Sequence, residues 1–283
     1  MIYLKNIAFF IFLILILSVN LFAAEKIIDR ENIKAALLVD LDSGKILYSY
    51  KDNMAIQPAS LTKILTLYIM NEEIRNGKVK LNDKIRVSEK ALKTNGSKMC
   101  HHEGEWLKVE DLIKFMAIYS ANDATIAAAE YMAGTVEHFV FRMNKKAAEL
   151  GMKQSHFVNP HGLPDNRQKV TARDVFILAR NYIERFPDSL KIHSLQSFNY
   201  QSVDYPNRNT LLQENIEVDG LKTGYVRASG YHLIATAKRG ENRLMAIILG
   251  AKNQTIRDIQ TKALLEYGFE IINNDIKDKM VGA

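Results

Sequence analysis

Apolar residues fall along the chain in three kinds of pattern. Residues 7–17 form an unbroken apolar run. Segments 35–42 and 46–50 are rich in apolar and aromatic residues and flank Asp42-Ser43-Gly44-Lys45, the turn chemistry of a β-hairpin. From Leu61 the period changes. Leu61, Ile64, Leu65, Tyr68 and Ile69 recur at helical spacing as far as Asn76-Gly77, a helix stop. The same spacing predicts helices over 109–119, 124–132, 136–150 and 172–185. Thr171-Ala-Arg-Asp174 has the form of a capping box with Asp in place of the usual Glu, and Phe186-Pro187 ends that helix. Strand patterns return at 218–226, 231–237 and 244–250, the last two joined by a turn at Gly240-Glu241-Asn242, and 255–267 reads as a closing amphipathic helix. Strands at both ends with helices between them predict an α+β fold: one antiparallel sheet of about five strands drawn from both termini, with an inserted helical lobe. No internal repeat or linker interrupts it.

The first apolar run belongs to something else. Lys5 precedes it, and Ser18, Asn20, Ala23 and Ala24 follow before charge resumes at Glu25. This is the layout of a secretory signal peptide over residues 1–24, leaving 25–283 as the exported chain. Cleavage after Ala23 or Ala24 puts Leu21 or Phe22 where a small residue is expected, and the run approaches the ~20 residues that span a bilayer, so an uncut N-terminal anchor is the alternative. Either form works outside the cytoplasm, and any membrane attachment is expected through this segment.

Composition narrows the class. The 283 residues are 47% hydrophobic and 25% charged with 14 Gly and 5 Pro, ordinary globular usage that excludes collagen-like and disordered chains. A single cysteine, Cys100, excludes an internal disulfide framework, a cysteine-based zinc ribbon and a CxxC redox pair. The formal charge of +6 comes from scattered basic residues, which argues against a nucleic-acid partner. Cys100-His101-His102-Glu103 has ligand chemistry, but four adjacent residues rarely converge on one ion, and the segment is read as a loop shaping a cleft mouth. Neither a metal nor a cofactor is expected.

Three short patterns carry candidate chemistry: Ser60-Leu61-Thr62-Lys63, Ser120-Ala121-Asn122 and Lys222-Thr223-Gly224. Ser-x-x-Lys is expected about once by chance in such a chain, whereas Lys-Thr-Gly is expected only about 0.05 times. Their setting fits nucleophilic catalysis. Ser60 opens a helix, where unsatisfied N–H groups suit an oxyanion, and Lys63 follows on the same face within reach of its hydroxyl. Lys63 can act as a base once burial and a second cation such as Lys222 lower its pKa. Ser120 lies between two helices, where its hydroxyl can face a cleft, and Gly224 allows a ligand close to the strand.

These motifs, with His156-Phe-Val-Asn-Pro-His-Gly-Leu163, Thr171-Ala-Arg-Asp174, Asn207-Arg-Asn209 and Asp219-Gly-Leu-Lys-Thr-Gly-Tyr225, resemble the low-molecular-mass penicillin-binding proteins of the D-alanyl-D-alanine carboxypeptidase family, peptidase family S11. The resemblance implies the serine β-lactamase/DD-peptidase fold. It also implies that Ser60 attacks the bond between the two D-alanines of a peptidoglycan stem peptide and that Lys63 takes its proton. Ser120 would relay a proton to the departing amine, and Asn122 would bind the substrate amide and Lys63. Lys222 and Thr223 would hold the terminal carboxylate, and the N–H groups of Ser60 and Tyr225 would form the oxyanion hole. β-Lactams would trap Ser60 covalently.

Departures from the family pattern sharpen the expectations. Many members carry a C-terminal β domain and a terminal amphipathic helix; the sequence after Tyr267 has the pattern of neither, so 25–283 is expected to be one catalytic domain. Where the family often places a carboxylate-binding arginine after the last strand, this sequence offers Lys252. Arg208 is read either as a substrate contact or as a salt-bridge partner, and His161 as a turn residue, the lysine already supplying the base. A D,D-endopeptidase is the runner-up. A β-lactamase is disfavoured because 151–170 contains no glutamate to drive deacylation. A non-catalytic peptidoglycan binder would have no need of an activated nucleophile.

Overall fold

A computed structural model describes residues 27–99, 104–214 and 217–281; the N-terminal apolar run, its candidate cleavage site and the segment 100–103 lie outside the described residues. The chain begins with strands β1 (Ala35–Asp40) and β2 (Ile46–Tyr50), and a 3-10 turn (Ala59–Thr62) leads into helix α1 (Lys63–Arg75). The lobe then builds from β3 (Lys84–Arg86), α2 (Glu89–Lys93), β4 (Trp106–Lys108) and α3 (Val109–Lys114). A π-helical turn (Phe115–Tyr119) follows, then α4 (Asn122–Ala133), α5 (Val136–Leu150), α6 (Ala172–Arg185) and α7 (Ser189–His193). A hairpin of β5 (Ser197–Tyr200) and β6 (Val203–Pro206) precedes β7 (Val218–Val226), β8 (Gly230–Arg239), β9 (Asn242–Ala251) and α8 (Gln254–Val281).

The main sheet has the order β2-β1-β9-β8-β7, antiparallel throughout. It is the five-stranded sheet from both termini that the pattern predicted. Alternation along its strands sorts side chains onto two faces. Ala35, Leu37, Val39, Met245, Ile247 and Leu249 pack with the helical lobe, while Ala36, Leu38, Leu244, Ala246 and Ile248 pack with Leu264, Leu265 and Phe269 of α8. Because both faces are covered, these strands read as continuous apolar runs rather than as alternating ones.

Helix boundaries follow local chemistry. Thr171 Oγ1 accepts from the Asp174 N–H at 3.1 Å, as the capping pattern requires, but the Asp174 carboxylate turns to Gln154 N and Ser155 Oγ instead of reaching back. Asp is one methylene shorter than Glu, so the box forms only by half. The helix predicted over 109–119 is α only to Lys114 and then widens into the π turn, which ends at Ser120 in a left-handed conformation (φ 68°). The closing helix runs to Val281, beyond its predicted end at residue 267. Among the described residues no helix is long and apolar enough to cross a membrane.

Candidate active site

A cleft of about 400 Å³ opens where α1, α4 and β7 meet, and Ser60, Ser120, Asn122, Thr223, Gly224 and Tyr225 line it. Ser60 is not in the first α-helical turn, as the sequence pattern had placed it, but in the 3-10 turn before it. The reason is upstream: Ala59 holds φ +48°, which folds the chain sharply after Pro58 and delays the α-helical pattern until Lys63. Two close approaches fix this turn. A β-carbon on Gly162 would fall 1.8 Å from the Ala59 carbonyl oxygen, and one on Gly224 would lie 3.2 Å from the Ser60 amide nitrogen. The loop carrying His161 and the strand carrying Lys222-Thr223-Gly224 therefore press directly on the backbone that presents Ser60.

Lys63 is fully buried, and its Nζ lies 2.9 Å from Ser60 Oγ, 2.7 Å from Asn122 Oδ1 and 2.9 Å from the His161 carbonyl. The orientation of the Asn122 amide is settled by its Nδ2, which donates to the Asn95 carbonyl at 2.6 Å and leaves Oδ1 for the lysine. Burial pushes the Lys63 pKa well below the usual lysine value, the Lys222 charge lowers it further, and Asp123 opposes both. A neutral amine has two N–H donors and one lone pair. Asn122 Oδ1 and the His161 carbonyl can only accept, so they take the two donors, and the lone pair is left for the Ser60 hydroxyl. In that neutral state the lysine can serve as a general base. His161 enters the site through its carbonyl, while its Nδ1 accepts from Leu163 N at 3.1 Å, in keeping with a turn residue.

Ser120 is buried, and its Oγ has no hydrogen-bond partner among the described residues. The left-handed backbone at Ser120 turns this hydroxyl into the cleft in place of the next helical position. Lys222 is 2% exposed and donates to the Thr223 carbonyl at 3.1 Å; burial first, then Arg208 and Arg257, push its pKa down to about 7. Thr223 faces the cleft from the next position on β7. Tyr225 stands at the rim, 52% exposed, its ring centroid 4.2 Å from that of Tyr231.

Arg208 lines the cleft with its guanidinium 4.4 Å from the centre of the Tyr119 ring, a cation–π contact in place of the salt bridge weighed from sequence. Lys252 is a correction. Its side chain is exposed at the β9–α8 junction, its backbone N–H donates to the Asn32 carbonyl, and it does not line the cleft. The cation that reaches in from that end is Arg257, buried, with its Nε donating to Asp258 Oδ1 at 2.7 Å. Arg257 Nη2 lies equally near that oxygen but without hydrogen-bond alignment, so Nη2 has no acceptor of its own. The chain turns before entering α8, which brings the helix's first turn, and not the strand end, over the cleft. Lys222, Arg208 and Arg257 thus gather three cations at one end of the site, an arrangement that fits a carboxylate. Among the described residues no group of three or more His, Cys, Asp or Glu could hold a metal ion.

Comparisons with known proteins agree with this geometry. The profile of the D-alanyl-D-alanine carboxypeptidase family, peptidase S11, matches residues 23–253. The D-alanyl-D-alanine carboxypeptidase DacC of Escherichia coli is 38% identical over 257 residues, covering 88% of this chain and 64% of that protein. The crystal structure of penicillin binding protein 5 from Haemophilus influenzae matches with a TM-score of 0.82 at 36% identity, covering 84% of this chain and 71% of that one. The D-alanyl-D-alanine endopeptidase of Escherichia coli is more distant, 25% identical over 231 residues, covering 77% of this chain and 71% of that protein. The chain spans 64% and 62% of the lengths of the first two curated carboxypeptidases it matches. By sequence, fold and the placement of its three motifs, the chain belongs to the D-alanyl-D-alanine carboxypeptidase family, peptidase S11.

Proposed function

We propose that the protein is a serine D,D-carboxypeptidase that removes the terminal D-alanine from peptidoglycan stem pentapeptides through an acyl-enzyme on Ser60, and that residues 25–283 form its catalytic domain outside the cytoplasm, delivered by the signal segment 1–24. The observation that carries this is the setting of the buried Lys63 Nζ, whose bonds to Asn122 Oδ1 and the His161 carbonyl leave the lone pair of the neutral amine facing the Ser60 hydroxyl at 2.9 Å. Lys63 takes the Ser60 proton as Oγ attacks the penultimate carbonyl, and the N–H groups of Ser60 and Tyr225 receive the oxyanion. The proton passes through Ser120 to the departing D-alanine amine. Lys222, Thr223, Arg208 and Arg257 hold the terminal carboxylate, and Asn122 holds the substrate amide. Water then cleaves the ester and restores Ser60. β-Lactams enter by the same route and remain bound as esters. No cofactor takes part.

Two measurements test this. Fluorescent penicillin is expected to label the wild type and not Ser60→Ala, and a stem pentapeptide is expected to yield free D-alanine. Labelling of Ser60→Ala equal to wild type would sink the mechanism. Penicillin labelling without D-alanine release, together with monomers from cross-linked muropeptides, would favour the endopeptidase instead. The greater likeness to carboxypeptidases supports the first outcome.

Acylation should also follow a bell-shaped pH profile. The competent form has Lys63 neutral and Lys222 charged, so kcat/KM rises with pH as Lys63 loses its proton and falls above about 7 as Lys222 loses its own. In Lys222→Arg the guanidinium stays charged across this range, and the alkaline limb is expected to disappear. A variant that keeps the limb would show that another group sets it.

A further inference from the structure

β7 and β8 pair so that Gly224 stands opposite His232. Partners on a rung project to the same face of a sheet. On that face Gly224 leaves space into which the Pro58 carbonyl, the Ala59 β-carbon and the Ser60 amide fit, and His232 fills the adjoining place with a fully buried imidazole. Both ring nitrogens of His232 are engaged. A register shift between Tyr231 and Leu233 sets two β9 residues against His232, and the amide of Gly250, released from the ladder, donates to His232 Nδ1 at 2.9 Å. On the other side, His232 Nε2 lies 2.9 Å from Ser229 Oγ, which in turn donates to the Gln57 carbonyl at 2.9 Å.

These bonds fit together in one way. The Gln57 carbonyl can only accept, so the Ser229 hydroxyl proton points to it and Ser229 Oγ accepts from Nε2–H. The Gly250 N–H needs a lone pair at Nδ1. The neutral Nε2–H imidazole satisfies all three, and burial, pushing the His232 pKa down to about 3, keeps it neutral. The chain of bonds ends on the residue that begins the strained segment. Ala59, held at φ +48°, is a non-glycine residue in left-handed backbone, a conformation that relaxes unless its surroundings enforce it. Ile56 is tied to Val170 on one side and Ser60 begins the catalytic turn on the other, so the Gln57 carbonyl is the handle between them.

We propose that the relay Gly250–His232–Ser229–Gln57 is a brace that sets the Ser60 amide against β7, and so fixes the spacing of the oxyanion hole, which makes His232 and Ser229 positioning residues for acylation. The inference rests on Ser60 being the acylated nucleophile. The brace acts on the transition state more than on binding, because the carboxylate end of the ligand is held by other side chains.

The test separates the penicillin acylation rate constant from the dissociation constant of the preceding noncovalent complex, with thermal melts alongside. Ser229→Ala is expected to lower the rate constant about tenfold, since small misplacements of reacting groups are costly in rate. Its dissociation constant should stay within about twofold of wild type. His232→Leu should behave like Ser229→Ala, whereas His232→Gln, which keeps a donor at the Nε2 end, should restore the rate to within about threefold. Wild-type rate constants in Ser229→Ala and His232→Leu would overturn the brace, as would losses that follow the melting temperature and are not restored by glutamine. Failure of the wild type to acquire penicillin at all would overturn the Ser60 assignment itself, and the brace with it.

Discussion

Replacing Lys63 with alanine is expected to slow acylation of Ser60 by about 10³-fold, inside the range that a positioned general base contributes. Among the described residues no second base stands ready. The Lys222 ammonium is bonded to the Thr223 carbonyl, and the His161 ring nitrogen Nδ1 accepts from Leu163 N. Lys63→Arg should be as slow as Lys63→Ala, because a guanidinium keeps the charge and cannot give up its proton. That pair of variants separates basicity from charge. Stopped-flow acylation by penicillin reads the result, and a rate for either variant within tenfold of wild type would show that Ser60 is activated otherwise.

Stability gives an independent check on the same residue. Removing the side chain leaves Asn122 Oδ1 and the His161 carbonyl without their donor, at about 1–3 kcal/mol for each buried acceptor. Lysine at this position, however, carries an opposing effect. Its folded pKa lies well below the value of about 10.4 in an unfolded chain. As pH falls below that value the unfolded chain takes up a proton that the folded one refuses. The wild type therefore loses about 1.4 kcal/mol per pH unit from this group until its folded pKa is reached. Lys63→Ala lacks that slope. Its deficit in urea unfolding should be smaller at pH ~7 than at pH ~9, and a deficit that grows toward acid would mean that Lys63 is charged in the folded protein.

What the sequence disclosed about this site depended on the length of each pattern. α5 and α6 repeat their apolar stripe over four turns and were legible to the residue; so was β7. The two-stranded sheets β3–β4 and β5–β6 and the short helices α2 and α7 were not, since three to five residues are too few for a period to declare itself. The turns that aim the two serines were hidden for another reason. Ala59 and Ser120 take positive φ without being glycine, a choice imposed by packing against Gly162 and by the end of the π turn. Arg257 lies past the strand end and outside every motif, in the first turn of α8. The signal available was a basic residue in the first turn of the predicted closing helix, where a sheet-to-helix reversal returns the chain toward the strand ends. The Ser229–His232 pair has no signature in sequence, because its partners, Gln57 and Gly250, come from distant segments.

Gly162→Ala is expected to damage the protein more than any other single methyl addition at its described glycines. The alanine β-carbon would sit 1.8 Å from the Ala59 carbonyl oxygen and 2.3 Å from its carbon, both backbone atoms that cannot swing aside. Either the His161 loop or the Ser60 turn must move. The loop is tied in at three points: the Gly162 N–H on Asn159 Oδ1, the Pro160 carbonyl on Thr66 Oγ1 and the His161 carbonyl on Lys63. Retreat of the loop therefore breaks the bond that fixes the catalytic lysine. A loss of about 3 kcal/mol or more follows from strain and broken buried bonds together. With a total stability of roughly 5–15 kcal/mol the variant should still fold, but with acylation slowed more than about 100-fold. Gly151→Ala supplies the control, because Gly151 has φ +87°, close to the φ +91° of Gly162, yet nothing lies within 4 Å of its added β-carbon. It should cost only the backbone penalty of about 1–2 kcal/mol and leave acylation unchanged. Urea unfolding and penicillin labelling of the two variants side by side isolate the contact from the dihedral. Equal effects from both would show that the approach of the His161 loop to Ala59 does not hold the catalytic turn in place.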